Sequence, residues 1–369
     1  MSGIYIHIPF CHSKCSYCDF FSTPDSKYMQ RYIDAVIKEW ELRKHELTEA
    51  VNTIYIGGGT PSILPWDLLE RLVMALPRHN ILEFTIEANP EDVTREWIEG
   101  IKSMGINRVS MGVQSVNDDE LKAVNRRHSS MQAHRAIGLL TDAGITDVSV
   151  DLIYGLPLQT LSSWRSSLDA LLQYRLPHLS AYALSYEPGT RLYAQLIAGK
   201  IKEASDSQYA AMYDTLIELT ERNGYEHYEI SNFALPGHRA IHNSHYWDFT
   251  PYLGLGCSSH SFDGSCRRFN PSNIKKYVES LESGKVCYEQ EDENPDELYN
   301  DYIITRLRTS DGIAFNDFVK RFGADNLDAM LRTAAPHLAS GNLEKSDSGI
   351  KLARRAVLIS DSILRELIR

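Results

Sequence analysis

Near its amino terminus the chain reads Tyr5-Ile6-His7-Ile8-Pro9-Phe10-Cys11-His12-Ser13-Lys14-Cys15-Ser16-Tyr17-Cys18-Asp19-Phe20. A short β-branched run closed by a proline is a strand signal. Directly behind it lies a C-x3-C-x2-C loop. Three thiolates so close together can bind three irons of a [4Fe–4S] cube, leaving the fourth iron open to an outside ligand. On spacing alone two other readings stay open: a zinc knuckle with His12 as fourth ligand, or unligated thiols. Structural zinc sites favour two C-x2-4-C halves, and no second half is present. Cys257, Cys266 and Cys287 have no ligand spacing and read as ordinary thiols, and six cysteines in 369 residues are too few for a disulfide scaffold.

Around that loop the chain alternates strand and helix signals up to about residue 225. Strands are expected at Gly3–Pro9, Thr53–Gly57, Leu82–Ala88, Asn107–Val113, Asp147–Tyr154 and His178–Leu184, most of them rich in Ile, Val, Tyr or Thr. Helical patterns fall between them at Tyr28–Leu47, Trp66–Leu76, Thr94–Met104, Met131–Ala143 and Leu161–Tyr174. Gly105 and Gly144 stand where a C-terminal cap belongs. This order implies a parallel sheet with right-handed crossovers, either doubly wound or an incomplete barrel. In both, reactive groups belong at the carboxyl ends of the strands.

The rhythm changes after that point. Residues 226–272 are expected as a loop-rich, aromatic connection. Residues 273–369 are expected as a smaller, mainly helical domain ending in a hairpin at Leu343–Leu352 and a closing helix, a winged-helix-like order. The acidic stretch Glu289–Glu297 and the lack of a basic recognition helix argue against nucleic acid, as does a net charge of −11. No apolar run approaches the ~18–20 residues that cross a bilayer, and Met1–Phe10 lacks a signal-peptide pattern, so a cytosolic protein is expected.

Further polar residues fall near strand ends: Gly57-Gly58-Gly59-Thr60-Pro61, then Glu87, Gln114 and Asp151, with Arg126 in the connection after the fourth strand. Each alone reads as a solvated end or cap. Their recurrence at one end of successive strands points to a site, and glycines there let backbone amides approach a ligand. A second constellation, His242-Asn243-Ser244-His245-Tyr246-Trp247, is expected where loops can close over a barrel mouth. Two imidazoles beside two large rings suit a porphyrin, although composition alone favours core aromatics with hydrogen-bonded structural histidines.

With its lead-in Tyr5–Phe10 and lead-out Asp19-Phe20, the cysteine loop resembles that of the radical S-adenosylmethionine (SAM) superfamily, in its coproporphyrinogen-oxidase-like branch. The resemblance spans nearly the whole chain. It implies an incomplete (β/α)6 barrel and a [4Fe–4S] cluster on Cys11, Cys15 and Cys18, whose open iron is chelated by SAM. It also implies SAM contacts at Tyr5, Gly58, Gly59, Thr60 (in the Glu place of a GGE-type motif), Glu87, Gln114, Arg126 and Asp151. His242–Trp247 is similar to the HNxxYW motif of HemW-type haem chaperones, which implies haem binding by His242, Asn243, His245, Tyr246 and Trp247.

Two branches compete. The oxygen-independent coproporphyrinogen III dehydrogenases carry C-x3-C-x2-C-x-C and a long N-terminal extension. Here Phe20 takes the last Cys place, the first Cys is already residue 11, and HNxxYW is present. All three favour the haem-chaperone branch, with a haem-acceptor protein and a haem or electron donor as implied partners. The dehydrogenase is the alternative, and a radical SAM enzyme with another substrate comes after it.

Overall fold

The structure, a computed structural model, describes residues Met1–Arg369. The six expected strands form as β1 (Ser2–Ile8), β2 (Val51–Gly58), β3 (Glu83–Ala88), β4 (Arg108–Gln114), β5 (Asp147–Tyr154) and β6 (His178–Ala183). They pair in parallel in chain order. Between them run α1 (Met29–Arg43), α2 (Trp66–Ala75), α3 (Arg95–Ser103), the short α4 (Asp118–Ala123), α5 (Ser130–Asp142) and α6 (Leu161–Leu172). Capping boxes at Ser129 and Thr160 start α5 and α6, satisfying amides that a helix start otherwise leaves open.

Alternation along the strands sorts the two faces. Ile4, Ile6, Ile8, Ile54, Ile56, Ile86, Val109, Met111, Val148 and Val150 join the helices in the main core. The intervening residues reach one another on the other face: Tyr55 bonds Glu87, Ser110 bonds Asp151, and Ser149 bonds His178. That face is the polar lumen of an incomplete barrel. Two helices that the sequence reading does not place, α7 (Arg191–Ile197) and α8 (Asp206–Arg222), follow β6.

The connection expected at 226–272 is instead largely ordered. It contains β7 (Glu226–Glu229), β8 (Asn232–Ala234), α9 (Ile241–Asp248), β9 (Tyr252–Leu255), β10 (His260–Phe262) and β11 (Cys266–Phe269). β9 lies parallel beside β1 as a seventh parallel strand. The rest extend the edges, giving the order β12-β11-β10-β9-β1-β2-β3-β4-β5-β6-β8-β7, with β12 at Glu289–Asp292. Strands of three or four residues are too short for an alternation signal, which is why they read as loop.

The segment 273–293, assigned above to the C-terminal domain, packs with the barrel. Tyr277, Val278 and Leu281 of α10 (Ile274–Glu282) enter the main core, and β12 completes its sheet. Beyond it, α11 (Pro295–Leu307), β13 (Ile313–Ala314), α12 (Phe315–Phe322), α13 (Ala324–Ala339), β14 (Leu343–Lys345), β15 (Gly349–Leu352) and α14 (Ser360–Leu367) surround a second core. Its three strands run β13-β15-β14, the winged-helix-like order. Phe249, Tyr252 and Phe262 reach into this core from the barrel side. No helix is long and apolar enough to cross a membrane.

A buried ion pair fixes α1 to the barrel's β9 edge. Arg43 donates to Glu39 at 2.7 Å, Glu46 at 2.9 Å, and to Gly254 O and Ser261 Oγ at 3.2 Å. Glu39 in turn accepts from Tyr277 Oη at 2.6 Å, Asn270 Nδ2 at 2.8 Å and Gly256 N at 2.9 Å. Each ionised atom has a partner, the condition under which a buried charge is tolerated.

Candidate functional site

The cysteine loop leaves the carboxyl end of β1 and returns beside it. Thr23 N donates to Pro9 O at 2.7 Å and Cys11 N to Thr23 O at 3.1 Å. His7 Nε2 meets Phe21 O at 2.8 Å while its Nδ1 faces Tyr5 Oη at 3.1 Å. Ser16 N bonds Val124 O, Leu192 N bonds Ser16 O, and Asn125 Nδ2 bonds Lys14 O. The loop is thus tied to the α4 connection and to α7 before any metal is considered.

Cys11, Cys15 and Cys18 all line one cavity of about 420 Å³ at the carboxyl ends of the strands. All three are free thiols. Burial pushes the thiols of Cys11 and Cys18 up, so metal binding there has to displace protons. Arg126 Nη1 stands 3.5 Å from Cys15 Sγ. No three His, Cys, Asp or Glu side chains gather round one point that would hold a single ion, and His12 does not line the cavity. A zinc knuckle needs all its donors within about 2.3 Å of one centre. A cube spreads its thiolates over separate irons, and the donor set fits that group.

The structure brings Gly58, Gly59, Thr60, Glu87, Gln114, Arg126 and Asp151 to the same cavity. It does not leave the glycine amides free for a ligand, as the sequence reading expects. Gly58 N donates to Glu87 Oε2 at 2.9 Å, Gly59 N to Ile8 O at 2.7 Å and Thr60 N to Phe10 O at 2.8 Å. A Cβ on Gly58 would stand 2.7 Å from the His7 ring, and one on Gly59 2.6 Å from Phe10 O. The glycines let β2 lie against the cysteine loop, and what the turn can offer a ligand is acceptors.

Glu87 also accepts from Tyr55 Oη at 2.8 Å, and burial, with Asp151 nearby, pushes its carboxyl up to about 7. Asp151 accepts from Ser110 Oγ at 3.3 Å and is likewise raised by burial. Gln114 follows a strand irregularity with φ +66°, a strained conformation for a non-glycine residue. Arg126 reaches Asn89 Oδ1 at 2.8 Å and Gly112 O, while its buried Nε has no partner. An arginine edge left open in such a cavity fits a carboxylate.

Tyr5, expected among the SAM contacts, lies elsewhere. It lines a second cavity of about 340 Å³ with Tyr55, Glu87, Tyr182, Glu229, Asn243, Tyr246 and Trp247. Tyr55, Glu87, Tyr182 and Asn243 line both cavities.

The HNxxYW segment is α9, and it does not close over the mouth. Its first amides, Ile241 N and His242 N, donate to Glu83 at 2.7 and 3.0 Å, a carboxylate matched to a helix N-terminus. His242 Nδ1 meets Thr53 Oγ1 at 2.8 Å and its Nε2 meets Tyr246 Oη at 2.9 Å. A Cβ on Gly3 would strike both His242 and His245. Gly3, Thr53 and Glu83 mark the amino ends of β1, β2 and β3, so α9 plugs the lumen from below. His242 and His245 are buried and line neither cavity. The expected porphyrin-facing imidazoles are core groups, and burial lowers both pKa values.

Sequence reasoning missed Tyr55, Ser110, Ser180, Tyr182 and Asn89 in the first cavity. A usable signal was present: Thr53-Ile54-Tyr55, Arg108-Val109-Ser110-Met111 and Ser149-Val150-Asp151-Leu152 alternate polar with apolar. A parallel strand covered by apolar layers on both faces does not alternate in this way.

The radical SAM superfamily pattern matches residues 5–171 and the HemN C-terminal domain pattern matches residues 294–359. The chain is 34% identical to the heme chaperone HemW of Lactococcus lactis, over 87% of this chain and 85% of that protein. It is 31% identical to that of Bacillus subtilis over 98% of both. The fold superposes on the Escherichia coli coproporphyrinogen III oxidase HemN with a TM-score of 0.86, covering 100% of this chain and 90% of that one at 24% identity. With the cysteine loop and the strand-end residues gathered in one lumen, the chain belongs to the radical SAM superfamily, in the HemN-like branch that contains the HemW heme chaperones.

Proposed function

We propose that this chain is a haem chaperone on a radical SAM scaffold, binding haem and passing it to an acceptor protein. The observation that carries the reading is similarity to proteins named heme chaperone HemW along 98% of the chain. Phe20 supports it, because it stands where the dehydrogenase pattern places a Cys. The superfamily implies a [4Fe–4S] cluster and SAM, and both fit the first cavity. Cys11, Cys15 and Cys18 would hold three irons, and no fourth Cys lines that cavity. A cluster with an open iron supplies one-electron reduction of the SAM sulfonium when both are bound.

The chain's own residues do the rest. Arg126 Nε suits the SAM carboxylate and the carbonyls of the Gly58–Gly59 turn suit its ammonium. Asp151, held by Ser110, suits ribose hydroxyls. Glu87, shared between Tyr55 Oη and Gly58 N, stands where the first cavity meets the second and exchanges its proton near neutral pH.

The test is anaerobic reconstitution followed by parallel haem titration and coproporphyrinogen turnover with reductant and SAM. Expected are an oxygen-sensitive visible absorption that is lost when any of the three cysteines becomes Ala, a Soret shift with haem, and no decarboxylation. Robust decarboxylation would overturn the chaperone reading in favour of the dehydrogenase.

A further inference from the structure

Phe20 is 64% exposed, whereas the chain's other ten phenylalanines are buried or half-buried. It is not loosely held. Its carbonyl accepts from Lys14 Nζ at 3.0 Å and Ser22 Oγ at 3.3 Å, and the next carbonyl, Phe21 O, is pinned by His7. The ring therefore projects from a fixed backbone at the cysteine-lined cavity. Tyr182, near the carboxyl end of β6, lines the same cavity and is 42% exposed. Two large rings kept in water at the mouth of one cavity are what a flat apolar ligand can cover.

We infer that the haem macrocycle docks at this mouth, against Phe20 and Tyr182, and not on the imidazoles of α9. The inference rests on the haem-chaperone reading. A cavity of about 420 Å³ that holds one cofactor of SAM's size has no room for a macrocycle as well, so the ring lies at the rim. Charge separates the rim from the other aromatic cavity. Lys14 and Arg126 line the first cavity beside Asp19, Glu87 and Asp151, and with Arg126 given to SAM it is the Lys14 ammonium that can meet a haem propionate. The second is lined by Glu87 and Glu229 with no Lys or Arg, which disfavours a dianion. His242 and His245 are sealed under α9 with Thr53 and Tyr246 on their rings.

Haem titration of the reconstituted protein, followed in the Soret band, tests this. Phe20→Ala and Tyr182→Ala are each expected to weaken haem about tenfold, as the loss of one ring contact should. The double variant is expected to lose about a hundredfold, and Tyr246→Ala/Trp247→Ala to bind as the wild type does. Tyr182 lies outside the cysteine loop but lines both cavities, so its variant, read beside an unchanged Tyr246→Ala/Trp247→Ala, stays informative if Phe20→Ala fails to assemble a cluster. Haem preloaded on the wild type should also slow SAM exchange, and this slowing should vanish in the double variant. Unchanged haem affinity in Phe20→Ala/Tyr182→Ala, or a loss confined to the Tyr246/Trp247 variant, overturns the placement. A wild type that binds no haem overturns the chaperone reading itself.

Discussion

Two buried polar regions of this molecule are built on opposite terms. Around Glu39 and Arg43 each charged atom is paired, and the bonds tie α1 to β9 and to α10. In the barrel lumen the charged groups are left short. Arg108 is 1% exposed, yet its Nε and Nη1 have no partner. Arg126 Nε is also open, and Glu87 and Glu229 are both pushed up to about 7 by burial. A saturated network spends its bonding on the fold, whereas an unsaturated one keeps donors and protons for something that is not part of the chain.

The hardest way to break this comparison is Glu39→Ala. It leaves Arg43 with Glu46 alone, strips Tyr277, Asn270 and Gly256 N of their buried acceptor, and should cost about 3–5 kcal/mol, the usual penalty for breaking a buried ion pair. Urea unfolding of the variant checks it, and a loss below about 1 kcal/mol would mean the saturated network is not structural.

The lumen should respond to pH in the reverse sense from an ordinary paired carboxylate. Glu229 is 2% exposed, and burial raises its carboxyl to about 7 against the opposing hydrogen bond from Asn232. The folded state then holds the proton more tightly than the unfolded one. Its contribution is fully present below the unfolded value of 4.5 and is lost as pH rises to about 7. The total is on the order of 3 kcal/mol. Glu229→Gln should remove that part of the pH dependence. Parallel pH profiles of stability for wild type and variant, measured from pH 4.5 to 8, decide it, and coincident profiles would show that Glu229 titrates normally.

On the ligand side, Asp151→Ala and Arg126→Ala should each weaken SAM by about ten- to hundredfold, or about 1.5–3 kcal/mol, with the cluster retained. Calorimetry on reconstituted protein measures this. Equal affinity in both variants would move the SAM site out of the lumen.

The smallest effect sharpens the contrast most. Arg108→Met removes a buried charge whose Nε and Nη1 bond nothing, so its stability cost should stay within about 1 kcal/mol. A loss comparable to that of Glu39→Ala would erase the distinction between the two regions.

Much of the barrel was legible because its strands and helices are long enough to carry a period. Asp147–Tyr154 was read with the boundaries that form, and the cysteine loop followed its strand as expected. The edges were not legible. β8, β9 and β10 span three or four residues each, and such segments take their structure from the edge they pair with. The same holds for α9: His242-Asn243-Ser244-His245 has no apolar stripe, and what makes it a helix in the lumen is the Glu83 carboxylate at its start and Thr53 beneath it.

The sequence by itself determined which chemistry is available. Three thiols in one loop, glycines at a strand end, and acids and an arginine near successive strand ends needed only local spacing and the period of a strand. Tertiary structure alone decided which of these groups face one another. It turned the Gly58–Thr60 amides inward to Glu87, Ile8 and Phe10, moved Tyr5 to the second cavity, and buried both histidines of α9 while leaving Phe20 in water. The reason is that direction and solvent access depend on how distant strands register and close on one another, and no local window of residues contains that information.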